Sequence, residues 1–423
     1  MIELAAAIAA VERTAAPLPL RRHRLLEAAG GRLAEPVMAD VDSPPWDRAM
    51  MDGFAVRSAD VVGREGDVVV LDVVADLAAG VVTGRPIASG CCARIMTGAP
   101  LPPGADAVVP VEAAVDGTAG AHAGGRVRFR DPRFRAGQHV GLRGAAFAAG
   151  SIVLPPGAVL TPAAVGLAAE AGATHVVAAA RPRVAILSTG SELVPAGVAP
   201  GPGQTRNSNG PMIAAAVTAC GGEPVPLGIA ADRPEAIRAA VMQGLAADVL
   251  VLSGGVSAGD LDLVPSVLEA CGVREVFHKV RLKPGKPVWF GTLARAAGRS
   301  PALVFGLPGN PASSLVCFEL FVRPALAILA GRPRHEWHLP RSRGVLTAAA
   351  KSAADRPVYL PCRLERTAAR IDVTPLPWTG SSDLVGLAVA DGLVALPAGA
   401  TADVGSDVEV LSFAGGAASA RDA

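Results

Sequence analysis

Three of the four lysines in this chain lie within eight residues of one another, at Lys279, Lys283 and Lys286. The chain has 39 basic residues, and all of them except these four lysines are arginines. A solvated basic turn would explain the positive charge of this cluster but not the choice of lysine. A lysine ammonium is a compact, rotatable charge, whereas an arginine guanidinium is a planar fork. The cluster therefore predicts a pocket for phosphate or another oxyanion that is too narrow for guanidinium.

Two loops that combine glycine, serine and acidic residues accompany the lysines. The first reads Ser-Thr-Gly-Ser-Glu and ends at Glu192, and the second contains two adjacent glycines followed by Asp260 and Asp262. Adjacent glycines permit a ligand to approach the backbone closely. Carboxylate oxygens bind hard cations such as Mg²⁺. A turn with a helix-capping aspartate is the better interpretation of Asp260, which leaves Asp262 as the stronger candidate for such a site.

A third loop reads Leu-Pro-Gly-Asn-Pro-Ala-Ser-Ser over residues 307–314. Asn310 fits a helix N-cap, and Pro311 fits the first helical position. The free amides and the positive dipole end at such a helix start favour an anion, although an ordinary capped helix explains the same residues. Asp232, with Glu235 three residues later, likewise predicts an N-cap and a capping box.

Alternating strands and helices are predicted from residue 181 to residue 331, and they would position these loops. Short continuous apolar runs are typical of strands buried in a parallel sheet. Ligands of open α/β sheets bind outside the carboxyl ends of the strands. The three loops should therefore converge on one edge of a doubly wound sheet. The predicted strands are 184–187, 223–229, 248–252 and 302–305, and helices are predicted at 210–219, from Asp232, and after Pro311.

The chain as a whole predicts a multidomain protein of the α/β plus β class. Residues 1–40 and 141–180 form a helical N-terminal linker domain, with helical spacing through Leu4, Ile8, Val11, Leu25 and Leu33 and a further helix at 162–171. Residues 41–140 form an inserted β-rich domain, marked by short β-rich runs between glycines and prolines. Residues 181–331 form the central domain with its parallel sheet. Residues 332–415 form a small C-terminal β-barrel or sandwich.

Composition argues against several classes of function. The formal net charge is +1, which gives no reason to expect a nucleic acid or an anionic membrane as a partner. The longest apolar helix candidate contains Glu319 and Arg323, so it predicts a buried helix of a soluble domain. The N-terminus has no basic stretch before its apolar residues, so no signal peptide is predicted and the cytoplasm is the expected location. The six cysteines form no CxxC pair, so buried thiols are expected rather than a zinc site.

Seven segments, taken in order, resemble the molybdopterin molybdenumtransferase family, which includes the E domain of gephyrin and its plant equivalent. The segments KPGKP and LPGNP at their present distance are the most specific match, and MDG and TGA add weight because they come in the family's order. The resemblance extends from the N-terminal domain through the barrel. The segments are PPWDRAMMDGFAVR, RIMTGAPLPPGADAVV, AILSTGSELV, GQTRNSNGPMI, VLSGGVSAGDLD, KVRLKPGKPVWFG and GLPGNPASS.

This resemblance implies a reaction and its reactants. Such enzymes take adenylated molybdopterin, insert molybdate at its dithiolene and release AMP, which yields molybdenum cofactor. Glu192 and Asp262 would bind Mg²⁺ against the pyrophosphate, and Asp232 would help to place or activate the hydrolytic group. The lysine cluster would neutralise phosphate or molybdate oxygens. The expected substrate-binding residues are Ser188, Thr189, Gly190, Gly254, Gly255, Ser257, Pro308, Asn310, Pro311, Ser313, Arg356 and Ser381.

The resemblance also implies an elongated homodimer with an active site shared between subunits. Asp52 and Thr97 of the β-rich domain would then act at the sheet domain of the other subunit. A molybdopterin adenylyltransferase and molybdoenzyme apoproteins are the further partners that the resemblance suggests.

The chain departs from the family pattern at several positions. Ala49-Met50 stands where the family has Ser-Ala before Met-Asp-Gly, Ser191 stands where an acidic residue is common, and His139 stands where the family has a carboxylate. Two rival functions remain open at this point. A molybdopterin adenylyltransferase would not need the β-rich insertion or the barrel, and a non-catalytic scaffold or cofactor carrier would not need complete sets of lysines and acids.

Overall fold

The computed structural model describes residues 1–64, 66–256, 263–295, 300–353 and 355–413. These residues divide into two compact units. One contains Met1–Arg21, Gly30–Arg32 and the chain from Ala178 onward, and the other contains Arg22–Ala29 and Leu33–Val177. The sheet domain and the barrel both belong to the first unit.

The N-terminal segment contains one helix and not the longer helical region that the apolar spacing predicts. Pro17 and Pro19 follow the helix closely, and proline cannot supply the backbone N–H that a continuing helix needs. The prediction of further helix around Leu25 and Leu33 is therefore wrong, because a strand and a series of turns occupy that segment. The elements are β1 (Ile2–Glu3), α1 (Leu4–Thr14), β2 (Leu20–Arg24) and β3 (Val37–Met38).

The β-rich segment that follows forms a five-stranded sheet with a core of its own. Phe54 and Phe129 are fully buried in that core. The strands are β4 (Arg48–Ala49), β5 (Gly53–Val56), β6 (Val69–Leu77), β7 (Cys91–Ile95), β8 (Ala107–Pro110), β9 (Arg126–Phe129), β10 (Val140–Gly141) and β11 (Ile152–Leu154). The order in the five-stranded sheet is β8-β5-β7-β6-β9.

A capped helix lies in the predicted 162–171 segment. The hydroxyl of Thr161 accepts a hydrogen bond from the amide of Ala164 at 3.2 Å, and Pro162 occupies the first turn, as the preferences for helix starts require. The helix is α2 (Pro162–Glu170), and it is followed by β12 (His175–Ala179).

The central domain contains a six-stranded sheet whose middle strands are parallel. The run of elements is β13 (Arg183–Thr189), β14 (Leu193–Val194), β15 (Thr205–Arg206), α3 (Asn209–Ala219), β16 (Glu223–Ala230), α4 (Pro234–Gly244), β17 (Val249–Ser253), α5 (Val264–Ala270), β18 (Arg274–His278), β19 (Val280–Arg281), β20 (Trp289–Leu293), β21 (Ala302–Leu307), α6 (Pro311–Cys317) and α7 (Arg323–Leu329). The strand order is β16-β13-β17-β21-β20-β18.

The four predicted strands are present, and β16, β13, β17 and β21 pair in parallel. The interiors of β13 and β17 are buried, as the continuous apolar runs predict. Strands β20 and β18 were not predicted. Strand β20 is antiparallel to both β21 and β18, so β18 runs in the same direction as β21. The carboxyl ends of β13, β17, β21 and β18 therefore meet at the same edge of the sheet.

A continuous helical stretch of 19 residues, Pro311–Leu329, runs through the core of this domain. It contains a π-helical turn at Phe318–Val322 between α6 and α7. By length and composition it could cross a membrane, but 89% of its apolar window is buried inside the protein, which is typical of a core helix. Glu319 and Arg323 form a buried ion pair within it, with side-chain exposures of 6% and 13%.

The C-terminal segment forms a closed barrel, which decides between the predicted barrel and sandwich. The strands in barrel order are β22-β25-β24-β26-β28. Tyr359 and Leu393 from the barrel lie in the same core cluster as the central domain. The elements are β22 (Arg341–Leu346), β23 (Ala350–Lys351), β24 (Val358–Arg366), β25 (Ile371–Pro375), α8 (Val385–Ala388), β26 (Gly392–Leu396), β27 (Thr401–Ala402) and β28 (Asp407–Ser412).

Candidate active site

A polar cavity of 740 Å³ lies at the carboxyl ends of β13, β17 and β21. This is the edge at which the three sequence loops were expected to converge, and each of them contributes to the wall. Ten of the predicted site residues line the cavity: Ser188, Thr189, Gly190, Glu192, Asp232, Gly254, Gly255, Pro308, Asn310 and Pro311.

The carboxylate of Glu192 lies over Gly190 in the loop after β13. A Cβ atom at Gly190 would lie 2.6 Å from Glu192 Oε1, so the absence of a side chain at Gly190 makes room for the carboxylate. Within the described residues, no group of three or more His, Cys, Asp or Glu side chains could hold a metal ion by itself. A cation at this site would therefore need oxygen ligands beyond Glu192 from elsewhere, such as those of a phosphate-bearing substrate.

Asp232 does not cap α4, so the capping-box prediction is wrong. The N-cap residue is Arg233, and it makes no side-chain capping bond. The carboxylate of Asp232 instead accepts a hydrogen bond from the amide of Ser191 at 2.9 Å, while the amide of Asp232 donates to the hydroxyl of Ser191 at 3.0 Å. Asp232 thus joins the loop after β16 to the loop after β13 at the cavity wall.

The paired glycines after β17 are required by close packing at the strand ends. A Cβ atom at Gly254 would lie 2.5 Å from the carbonyl oxygen of Thr189, and one at Gly255 would lie 2.7 Å from the side chain of Val264. Both glycines also have positive φ angles, of 98° and 65°, which residues with a Cβ atom rarely adopt. Ser257, Asp260 and Asp262, which follow in this loop, lie outside the described residues.

The loop before α3 supplies a wall that the sequence reasoning did not assign. Asn209 is 8% exposed, and its side-chain amide donates to Ser253 Oγ at 2.6 Å and to the carbonyl of Gly309 at 2.7 Å. Asn207 Oδ1 accepts from Ser188 Oγ at 3.0 Å. The signal that could have found them is the dense polar run Thr-Arg-Asn-Ser-Asn immediately before a predicted helix. The other unassigned lining residues are Leu193, Thr205, Arg206, Ser208, Ser253, Val256, Pro287, Gly309, Ser382 and Leu384.

The start of α6 differs from the expected anion site. Pro311 occupies the first turn as predicted, but Asn310 makes no side-chain capping bond. The amide of Ala312 donates to the carbonyl of Ser381 at 3.0 Å, and Asn310 Nδ2 donates to Ser381 Oγ at 2.8 Å. The amide of Ser313 also points at the Ser381 carbonyl, at 3.4 Å. Because a protein carbonyl already uses these amides, the expectation that they are free for an anion is wrong.

The lysine-rich turn borders the cavity at Pro287. Pro287, directly after Lys286, lines the cavity, whereas none of the three lysines is among its lining residues. The side chains of Lys283 and Lys286 are exposed, and Lys279 is half-buried with a positive φ of 67°. Among the described residues, none of the three forms an ion pair, so their charges are available to a ligand.

The barrel is hydrogen-bonded to the lysine-rich turn. The amide of Lys283 donates to the carbonyl of Pro357 at 3.0 Å, and the amide of Tyr359 donates to the carbonyl of Lys283 at 2.8 Å. Arg356 directly precedes Pro357, whose carbonyl bonds the lysine-rich turn. The guanidinium of Arg356 contacts the carboxylate of Asp355 at 3.0 Å. Arg356, Ser313 and Ser381 do not line the cavity, although Ser382 does.

A second cavity of 600 Å³ shares Gly190, Leu193 and Asn207 with the polar one. Its remaining walls are mostly apolar and include Pro195, Pro211, Ile229 and Ala231. A polar cavity thus adjoins an apolar one across the loop after β13. Such a pair suits a ligand with a charged part and a flat heterocyclic part.

Asp52 and Thr97 lie together in the other unit. Asp52 Oδ1 accepts hydrogen bonds from both the amide and the hydroxyl of Thr97, each at 2.7 Å. These bonds, first that from the Thr97 amide, lower the pKa of the Asp52 carboxyl below its usual value. His139 belongs to the same unit, and its carbonyl accepts a hydrogen bond from the amide of Met50 at 2.8 Å.

Three family models match successive parts of this chain. They are the MoeA N-terminal region (domain I and II) at residues 2–172, the probable molybdopterin binding domain at 185–328, and the MoeA C-terminal region (domain IV) at 343–413. A protein of Mycobacterium tuberculosis named molybdopterin molybdenumtransferase 2 is 36% identical over 383 residues, which are 88% of this chain and 90% of that protein. This chain belongs to the molybdopterin molybdenumtransferase family.

Further relatives agree with this assignment. A molybdopterin molybdenumtransferase of Bacillus subtilis is 33% identical over 90% of this chain and 86% of its own length. A crystal structure of a molybdopterin biosynthesis MoeA protein from Pyrococcus horikosii aligns with a TM-score of 0.73 at 30% identity, covering 98% of this chain and 100% of the other. The fold of the whole family member is therefore present, including the β-rich domain, the central sheet and the barrel.

Proposed function

We propose that this chain is a molybdopterin molybdenumtransferase, which inserts molybdate into adenylated molybdopterin and releases AMP. The observation that carries the proposal is the polar cavity at the strand ends, whose walls come from the loops that contain Glu192, Gly254 and Asn310. The names of relatives that cover most of this chain support the same activity.

Mg²⁺ fits the donor chemistry at this edge of the sheet, because carboxylate and phosphate oxygens are its preferred ligands. Glu192 would hold it, together with Asp262 and the pyrophosphate of the substrate. When bound, the cation neutralises charge that develops on the pyrophosphate oxygens. Asp232 fixes the loop of Glu192 through Ser191 and presents the second described carboxylate of the cavity.

The lysine cluster supplies the positive charge that two anionic reactants require. Molybdate and pyrophosphate are both oxyanions, and lysine ammonium groups bind them as mobile point charges. Lys283 and Lys286 extend from a turn whose backbone is bonded to the barrel at Lys283 and to Val280 at Lys286. Arg356 and Ser381, which belong to the C-terminal part of the chain, would complete the molybdate site.

The apolar cavity beside the polar one suits a planar heterocycle of the substrate. Pro195, Pro211 and Ile229 provide flat apolar walls, and Asn207 stands at the boundary with the polar cavity. Burial of the heterocycle would orient the pyrophosphate towards Glu192, which is how positioning contributes to catalysis.

The assembly and location of the protein are further parts of this proposal. We propose a homodimer in the cytoplasm in which Asp52 and Thr97 of one subunit serve the cavity of the other. The exposed Asp52 carboxylate, held ionised by Thr97, is suited to an external ligand. A molybdopterin adenylyltransferase as supplier of the substrate and molybdoenzyme apoproteins as acceptors of the product are the proposed partners.

AMP release from adenylated molybdopterin is the test of this function. The expected result is release that depends on molybdate and on Mg²⁺ and that is lost in Glu192→Ala protein. Binding of the substrate without turnover would contradict the proposal and favour a carrier. Formation of adenylated molybdopterin from molybdopterin and ATP would favour an adenylyltransferase instead, although the family models for the N-terminal and C-terminal regions argue against that alternative.

A further inference from the structure

The loop after β17 is bonded at Val256 by a histidine that no motif of the sequence singled out. The ring Nε2 of His278 lies 3.0 Å from the carbonyl oxygen of Val256. A carbonyl oxygen can only accept a hydrogen bond, so Nε2 carries the proton and donates. Val256 is 1% exposed and lines the polar cavity.

His278 is placed for this contact by the edge of the sheet. It is the last residue of β18, whose carboxyl end lies at the same edge as that of β17. Lys279 follows with a φ of 67°, which ends the strand, and its amide donates to the carbonyl of Val288 at 3.0 Å. The backbone around the imidazole is therefore fixed independently of the loop that the imidazole bonds.

The side chain of Val256 is anchored on the sheet at the same point. A Cβ atom at Gly306 would lie 2.6 Å from Val256 Cγ1, so Gly306 leaves the space that Val256 occupies. At the start of the loop, the amide of Gly254 donates to the carbonyl of Leu307 at 3.1 Å. The loop is thus attached to β21 at Gly254, packed on β21 at Val256, and bonded to β18 through His278.

We infer that His278 is a positioning residue that fixes the Gly254–Val256 wall of the polar cavity in its ligand-binding geometry. The two glycines in this wall have little conformational preference of their own, because glycine populates positive and negative φ almost equally. Packing of Val256 alone leaves its carbonyl direction free to rotate, whereas the bond from His278 fixes the peptide plane. The inference rests on the proposed function, since the ligand in question is the nucleotide part of the proposed substrate.

Three variants separate positioning from general stability. His278→Phe keeps a ring but removes the donor, His278→Gln restores an N–H at a similar reach, and His335→Phe makes the same change at an exposed histidine outside the cavity. Each is measured for amide hydrogen exchange of the peptide that covers residues 253–256, for thermal unfolding, and for the dissociation constant of AMP with Mg²⁺ by calorimetry.

The expected result is faster exchange and about tenfold weaker AMP binding in His278→Phe protein, with an unchanged unfolding temperature. His278→Gln and His335→Phe proteins should resemble the wild type in all three measurements. Wild-type AMP affinity in His278→Phe protein overturns the inference, as does an affinity loss that His278→Gln does not restore. Failure of the wild-type protein to bind AMP would count against the proposed function itself and would remove the basis of this inference with it.

Discussion

Ser191 and Asp232 bind each other through two hydrogen bonds of opposite direction, at 2.9 and 3.0 Å. Each residue follows a different strand, so the pair joins two loops of the cavity wall. Asp232 therefore connects these two loops in the absence of any ligand. Arg233, and not Asp232, occupies the N-cap position of α4, so the carboxylate of Asp232 serves the contact with Ser191.

Replacement of Asp232 should separate its charge from its hydrogen bond. Asp232→Ala removes both and should lower the rate of AMP release about tenfold or more, because a charge-assisted bond of this kind contributes about 1.5–3 kcal/mol. Asp232→Asn keeps an oxygen that accepts from the Ser191 amide. Recovery in the asparagine variant would assign the residue to positioning, and equal loss in both variants would assign it to its charge. Wild-type rates in both variants would contradict a role in the site.

Asn209 should stabilise the fold as well as the cavity. Its buried amide joins α3 to the ends of β17 and β21 through Ser253 and Gly309. Asn209→Ala leaves the Gly309 carbonyl without this donor, and the free energy of unfolding should fall by about 1–3 kcal/mol. Chemical denaturation measures the change. Asn207→Ala is the matched control for a neighbouring amide that is less buried, and it should cost less.

The apolar cavity should discriminate between parts of the substrate. Ala231→Trp would fill the space beside Ile229 and should weaken binding of AMP about tenfold while leaving inorganic pyrophosphate binding close to the wild-type value. Competition calorimetry with the two ligands measures both constants. Equal weakening of AMP and pyrophosphate would show that the heterocycle does not bind there.

The buried ion pair in the core helix should be sensitive to the loss of one partner. Glu319→Ala leaves the Arg323 guanidinium in the core without its carboxylate, and such a loss typically costs about 3–5 kcal/mol of stability. Denaturant titration gives the value. The double variant Glu319→Leu with Arg323→Met should recover most of the loss, because it removes the unpaired charge. A single variant as stable as wild type would contradict this account.

The Asp52–Thr97 contact makes a prediction about pH. The Thr97 amide and hydroxyl lower the pKa of Asp52, so the bond stabilises the fold above the usual aspartate pKa and this contribution is lost as pH falls through the lowered value. Thr97→Val removes the hydroxyl and should raise the pKa of Asp52 towards its usual value. An NMR titration of the Asp52 carboxyl carbon measures it, with Asp383, bonded similarly by Thr379, as an internal reference. An unchanged Asp52 value in the variant would contradict the assignment.

The sequence predicts the inner strands well, because β13, β17 and β21 are buried on both faces and therefore read as continuous apolar runs. It does not predict β18 and β20, which lie beside the lysine turn and pair antiparallel at the sheet edge. The site loops follow from the rule that ligands bind at strand ends. The contact of Ser381 with the start of α6 could not be predicted, because Asn310 and Ser381 are 71 residues apart and the contact depends on how the barrel packs. The contact between His278 and Val256, which are 22 residues apart, could not be predicted either, because it depends on the position of β18 in the sheet.

The barrel and the lysine turn share two backbone hydrogen bonds, between Lys283 and residues 357 and 359. Backbone bonds do not depend on side-chain identity, so substitutions in this turn leave the attachment intact while the charges above it vary. A shortened chain that ended before the barrel would lose both bonds and with them the fixed backbone of the side chains that we propose bind oxyanions. The C-terminal region also contributes Ser382 and Leu384 to the wall of the polar cavity, so a graft of the central sheet into another protein would need to include it.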